Sequence, residues 1–278
     1  MTGKINYIFF GTPRFAAVVL ERLIADGMPP LLVVANPDRP AGRKQTPTPP
    51  DTKIIAEEAG IPVLQPEKID AGFIETLRGH GAECYMVAAY GKILPAELLA
   101  IPPKGAIGIH PSLLPRHRGA SPIQAAILEG DAATGVTLYL LDERTDHGPI
   151  LGQETLVLKG EETYRELEEA LAMMGAKLAL ALLPRYLAGE LSPAPQDHAR
   201  ATFTGKFKTE DGFVEFGKDK PEIIARKVRA LAEEPGVYTV RDGKRLKLLA
   251  VELRPEGWVA TRTQWEGKTP QDAGLPLQ

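Results

Sequence analysis

The densest concentration of chemically capable side chains lies in the stretch GAIGIHPSLLPRHRGASPIQAAILEGDAATGVTLYLLDERTDHGPIL. His110 closes an apolar, strand-like run there, and open α/β sheets place ligands at the carboxyl ends of their strands. Pro111 and Pro115 follow, and because each proline holds its own φ the loop should be stiff enough to fix backbone donors. Arg118-Gly119 adds a cation and a permissive backbone position. Asp146 comes later, on a turn closed by Gly148. A His and an Asp on separate loops near one sheet edge could meet as an oriented acid–base pair. The pattern also fits a capped loop with a surface aspartate, and spacing alone leaves both readings open.

Such a pair needs a sheet to carry it. Residues 1–200 alternate strand-like apolar runs with amphipathic segments, the pattern of a parallel α/β sheet. Asn6–Phe10, Leu31–Ala35, Cys84–Ala89, Ala106–His110 and Val136–Leu141 read as strands, with Pro62–Leu64 extended. Helical spacing marks Phe15–Ala25, Thr52–Glu58, Phe73–Arg78, Gln124–Leu128 and a long helix from about Glu162 to Leu187. Asn36–Pro50 is a proline-rich polar connection. The polar segment SPAPQDHARA reads as a linker, dividing a domain at 1–191 from a small β-rich one at 202–266. Phe213–Phe216, Val237–Val240 and Leu246–Leu253 supply its strands and Ile223–Ala232 its helix, while 267–278 reads as a disordered tail.

Composition is that of an ordinary soluble chain: 278 residues, 44% apolar and 25% charged. Cys84 is the only cysteine, which excludes an internal disulfide, and no His/Cys/Asp/Glu group has metal-ligand spacing. The apolar run before Gly11 is too short for a signal-peptide core, and no stretch is read as approaching a membrane span. A cytoplasmic protein with no membrane partner is therefore expected. Residues 201–278 carry 14 Lys and Arg against 12 Asp and Glu, and the rest of the chain 19 against 24. That mild asymmetry by itself does not point to nucleic acid.

The signature segment resembles that of the 10-formyltetrahydrofolate-dependent formyltransferases. That family has a strand ending in Asn-x-His, then Ser-Leu-Leu-Pro, Arg-Gly, Thr-Gly-Val-Thr and Asp-x-Gly. Here these are His110, Ser112 to Pro115, Arg118-Gly119, Thr134 to Thr137, and Asp146-His147-Gly148. Gly11-Thr12-Pro13-Arg14-Phe15, Pro37 to Arg43, Ala89 to Pro95 and Arg118 to Gln124 are similar to the branch that acts on methionyl-tRNA. The likeness covers residues 5 to about 200 and fades beyond, where the family has an open β-barrel that reads here as shortened. One departure stands out: Gly108 replaces the family's Asn, whose amide is read as an oxyanion donor.

The resemblance implies a Rossmann-like catalytic domain. It implies direct attack by the amine of a charged initiator methionyl-tRNA on the formyl carbon of 10-formyltetrahydrofolate, the co-substrate. His110 would donate to the oxyanion and shuttle protons, and Asp146 would orient it. Gly108 then implies a slowed enzyme, since losing one oxyanion donor costs about 10²–10³ in rate. Folate is expected against Ala89, Tyr90, Gly91, Ile93 and Leu94, and against Ser112, Leu113, Leu114 and Pro115. The acceptor is expected against Gly11, Thr12, Pro13, Arg14, Phe15 and Arg118, with Arg43 and Lys44 on the tRNA end. No metal, DNA or membrane is implied, and a monomer is expected. His80, His117, His147 and His198 are read as non-catalytic. The competing readings are a formyltransferase for an amino sugar nucleotide and a non-catalytic folate- or tRNA-binding relative.

Overall fold

A computed structural model describes residues 5–41 and 46–277 of the protein; Arg43 and Lys44 lie outside the described residues. In chain order the first elements are β1 (Tyr7–Gly11), α1 (Arg14–Ala25), β2 (Leu32–Val34), β3 (Arg39–Ala41), β4 (Thr46–Thr48), α2 (Asp51–Glu58), β5 (Val63–Leu64), α3 (Ala71–Arg78), β6 (Cys84–Ala88), α4 (Ala96–Leu99) and β7 (Ala106–His110). There follow β8 (Arg118–Gly119), α5 (Pro122–Glu129), β9 (Ala133–Leu140), β10 (Ile150–Val157), α6 (Tyr164–Leu187) and β11 (Phe203–Thr204). The last are α7 (Pro221–Leu231), β12 (Val237–Arg241), β13 (Lys244–Arg254), β14 (Gly257–Trp265) and β15 (Gln271–Pro276).

The chain forms two compact units. One takes the chain up to Arg118 together with Gly135–Thr155 and Glu168–Thr202; the other takes Gly119–Thr134, Leu156–Leu167 and Phe203–Gln278. This differs from a single cut near residue 191. The segment read as a linker belongs to the first unit, where Ala194 bridges to Ile150 with backbone bonds of 2.7 and 2.8 Å. The chain also leaves the first unit and returns to it, which a reading by composition cannot detect.

The first unit is built on a seven-stranded sheet in the order β10-β9-β7-β6-β1-β2-β5. β1 pairs in parallel with β2 on one side and β6 on the other, and β7 continues the parallel run. All five residues of β1, Tyr-Ile-Phe-Phe-Gly, are buried, as a central parallel strand covered on both faces requires. The order reverses about β1, so the loops after β1, β6 and β7 gather at one sheet edge, the ligand crevice of open α/β folds. β9 then runs antiparallel to β7. The edge strand β10 escaped sequence reading because polar Gln153 and Glu154 interrupt a half-exposed pattern. Asn36–Pro50 is more ordered than a plain connection, since β3 and β4 pair antiparallel within it.

The second unit is β-rich, as expected, with β12-β13-β14-β15 as an antiparallel meander. α7 packs on β13 and α5 packs on α7. Pro221 opens α7 at a position where its missing N–H costs nothing, and Ile224, Val228 and Leu231 form its buried stripe. Two sequence expectations are corrected here. Phe213–Phe216 is not a strand: Phe213 makes one isolated bridge to Tyr238, and the Glu215 N–H turns to Asp219. The tail is not disordered, because Gln271–Pro276 pairs with β14 as β15 and Leu277 is buried. Gly274 and Pro276 hid this strand, and an edge position is where such residues are tolerated.

Among the described residues one helix, the 24-residue α6, is long and apolar enough over part of its length to cross a membrane. That corrects the reading that no stretch approaches such a length. Leu167, Leu171, Ala172, Ala176, Ala179 and Leu183 are buried along it, a one-sided spacing that also marks core helices.

Candidate active site

His110, the last residue of β7, is 6% exposed and has protein partners on both ring nitrogens. Nε2 lies 2.9 Å from the His117 carbonyl, which can only accept, so Nε2 carries a proton. The other ring nitrogen, Nδ1, faces Asp146 Oδ1, 3.6 Å away. That gap is longer than a hydrogen bond, as catalytic contacts often are before substrate arrives. The structure thus brings His110 and Asp146 together, with the Asp146 side chain mostly buried.

Backbone conformation around this pair is unusual. Among the described residues four non-glycines have φ in the left-handed region, and three of them, Ala89 (46°), His117 (57°) and Asp146 (50°), stand in the crevice loops. Each such conformation costs about 1–3 kcal/mol and persists only where neighbours over-determine it. At Asp146 the restraint comes from Gln196, whose Nε2 donates to the Asp146 carbonyl at 3.0 Å and the Gly148 carbonyl at 2.7 Å. Gly148 itself presses against the Leu140 carbonyl so closely that a Cβ has no room. Gln196 Oε1 in turn accepts from Arg118 at 2.6 and 3.2 Å. Arg118 is 3% exposed and also donates to His198 Nδ1 at 2.9 Å. It was expected to meet substrate; its guanidinium is instead committed inside the unit, bracing the Asp146 turn.

The loop after His110 is pinned as firmly. Thr137 Oγ1 donates to the Ser112 carbonyl at 2.6 Å and accepts from the Leu114 N–H at 3.1 Å. Gln153 Nε2 closes the knot on the Leu114 carbonyl and Thr137 Oγ1. Ser112 and Leu114 are buried, and Ser112 Oγ bonds the Arg116 carbonyl, so both shape the loop while Leu113 and Pro115 stay half-exposed. Along the loop after β6, Ala89, Gly91 and Ile93 are exposed, Ile93 almost completely at 91%. Tyr90 and Leu94 of that set turn into the core instead. Asn36 joins the three neighbouring strand ends, donating to Thr12 Oγ1 at 3.0 Å and to the Tyr90 carbonyl at 2.7 Å.

Of the expected acceptor residues, Gly11 and Phe15 are buried, while Pro13 and Arg14 are exposed and Thr12 is intermediate. Arg14 pairs with Glu169 at 3.1 Å in an exposed bridge of small energetic weight. His147 bonds Asp142 through Nδ1 at 2.6 Å and stacks on His198 with centroids 4.1 Å apart. Partial desolvation and the neighbouring His147, Arg118 and Arg144 lower the His198 imidazole below its ordinary pKa. Sequence reasoning gave Thr137 no role beyond the Thr134 to Thr137 motif, and it missed Gln196 and Tyr139. The last of these donates its hydroxyl to Asp146 Oδ1 at 2.6 Å. Burial and that carboxylate push its phenol well above the ordinary 10, so it remains a donor.

A buried histidine at a strand end, facing an aspartate on the turn after β9, can serve as the acid–base pair of an acyl- or one-carbon-transfer reaction. The comparisons agree: residues 3–183 match the formyl transferase family model and 206–269 match the formyl transferase C-terminal domain model. The chain belongs to the formyl transferase family. A methionyl-tRNA formyltransferase of Chloroflexus aurantiacus is 45% identical over 246 residues, covering 88% of this chain and 79% of that protein. The same fold recurs in two solved structures. HypX from Aquifex aeolicus, in complex with tetrahydrofolic acid, superposes with a TM-score of 0.68 at 16% identity, over 97% of this chain and 46% of that one. Methionyl-tRNA formyltransferase from Clostridium thermocellum gives 0.65 at 17% identity, over 94% and 99%.

Proposed function

We propose that this protein transfers the formyl group of 10-formyltetrahydrofolate to the amino group of methionyl-tRNA. The observation that carries the reading is the His110–Asp146 pair at the crevice edge, in a chain of this family with methionyl-tRNA formyltransferase relatives above 40% identity. The deprotonated amine attacks the formyl carbon, giving a tetrahedral intermediate. Its C–N10 bond then breaks, and the proton lost by the amine goes to N10. His110 moves that proton and stabilises the oxyanion, while Asp146 holds the imidazole. No covalent enzyme intermediate is needed.

The loops at the strand ends carry groups that suit the co-substrate. A flat heteroaromatic amide ring needs backbone polar groups along its edge and apolar cover on its face. Exposed Ala89, Gly91 and Ile93, with half-exposed Leu113 and Pro115, offer both. For the tRNA, the second unit has exposed cations on aromatic rings, Arg245 lying 4.0 Å over Tyr238 and Arg241 5.5 Å over Phe216. Arginine on aromatic faces suits phosphates and unpaired bases, and such contacts weaken with salt.

The test is formation of formylmethionyl-tRNA by the purified chain from 10-formyltetrahydrofolate, across a salt series, with a nucleotide-linked amino sugar as rival acceptor. Transfer to the tRNA with a KM that rises with salt supports the reading. Equal or preferred turnover of the sugar amine would overturn it.

A further inference from the structure

β7 and β9 place Gly108 directly opposite Tyr139, as they place His110 opposite Thr137. Opposed residues share a sheet face, and so do residues two apart on a strand. Gly108 therefore leaves open the place beside His110, and the Tyr139 ring fills it. A Cβ at position 108 would lie 2.7 Å from Tyr139 Cζ and 2.8 Å from Leu141 Cδ1, closer than real Cβ contacts allow. The ring stands edge-on to His110, with centroids 6.4 Å apart and an interplanar angle of 86°. Its hydroxyl ends on Asp146 Oδ1, the same oxygen that faces His110 Nδ1.

We propose that Tyr139 is a positioning residue of the transfer reaction, its phenol occupying the space Gly108 leaves and holding the Asp146 carboxylate toward His110. Carboxylate torsions are broad, so an aspartate at the end of a turn needs a partner to choose one orientation. A buried phenol that stays protonated is such a partner, because it always has an O–H to donate to a carboxylate. Gly108 and Tyr139 then form one device. The missing side chain at 108 is the room that lets the phenol reach Asp146, and putting a side chain back there is harmful while Tyr139 remains. This proposal rests on the formyl-transfer reading above.

The experiment compares the natural protein with Tyr139→Phe, Tyr139→Leu, Gly108→Asn and the Gly108→Asn/Tyr139→Leu double variant, reading kcat, KM and Tm for each. Tyr139→Phe keeps the ring and is expected to lower kcat by about 10- to 10²-fold, the cost of a slightly misplaced group. KM for both substrates should stay at its natural value and Tm should fall by only the few degrees that one lost bond to a carboxylate costs, a kcat–KM split that a merely structural tyrosine would not give. Gly108→Asn alone is expected to lower Tm and rate, and the loss should shrink when Tyr139→Leu makes space, so that the two changes do not add. A natural kcat in Tyr139→Phe, or strictly additive effects of the two sites on Tm, would overturn the proposal. A natural protein that transfers no formyl would overturn the functional reading itself, and the natural rate tells that failure apart from failure at Tyr139 alone.

Discussion

Gln196 braces the Asp146 turn through two backbone carbonyls, and replacing it with alanine separates two effects. The change removes bonds to the Asp146 and Gly148 carbonyls and two bonds from the Arg118 guanidinium, all from a residue only 6% exposed. Neutral bonds contribute about 0.5–1.5 kcal/mol each and those to a charged group about 1.5–3. Water entering the vacated space recovers part of this, which leaves about 3 kcal/mol for Gln196→Ala. For a unit of this size that is a fall in Tm of about 6–12 °C. The rate should fall as well, because Asp146 sits at a φ of 50° and loses the bonds that hold it there. A shift of about 1 Å in such a group costs about 10² in kcat. Gln196→Glu is the discriminating partner: it keeps an acceptor for Arg118 but turns oxygen toward two carbonyls. Most of the thermal stability should then survive while kcat drops as in the alanine variant. Calorimetry and initial rates of formylmethionyl-tRNA formation read both quantities. A Gln196→Glu protein with natural kcat would refute the reasoning, since the carbonyl bonds would then not be what places Asp146.

Asp146→Asn keeps the shape of the side chain and removes its charge; kcat should fall by about 10²–10⁴-fold, the worth of a positioned acid–base group, with folate binding retained in a titration. An unchanged rate would remove Asp146 from the mechanism. Burial pushes the Cys84 thiol up to about 12, so iodoacetamide at pH 8 should leave the folded protein unlabelled and label it at once in denaturant; rapid native labelling would contradict the burial. His198 should titrate below 6.5 by NMR of its ring proton. Its contribution to stability is then complete above that ordinary value and is eroded as pH falls toward the lower folded one, because protonation is easier in the unfolded chain. A folded value above 6.5 would reverse the sign. Removing Arg245 and Arg241 together should raise KM for tRNA and flatten its salt dependence, without change in folate KM.

Much of this was legible along the chain. Central strands such as Tyr7–Gly11 and Ala106–His110 are continuous apolar runs because both their faces are covered, and continuity is a local property. His110 at a strand end and Asp146 before Gly148 could likewise be named from residue type and position. The half-solvated strands β10, β14 and β15 could not, because they carry Gly, Pro or polar residues that local preference assigns to loops.

Sequence by itself determined which residues had the chemistry, and the tertiary structure decided what they meet. That Arg118 turns inward to Gln196 across 78 residues, and that Tyr139 stands in the space beside Gly108, follow from strand register and chain return. Neither has a local signature, because a hydrogen bond or a steric exclusion is set by distance in space, and residues far apart in sequence acquire that distance only when the sheet closes.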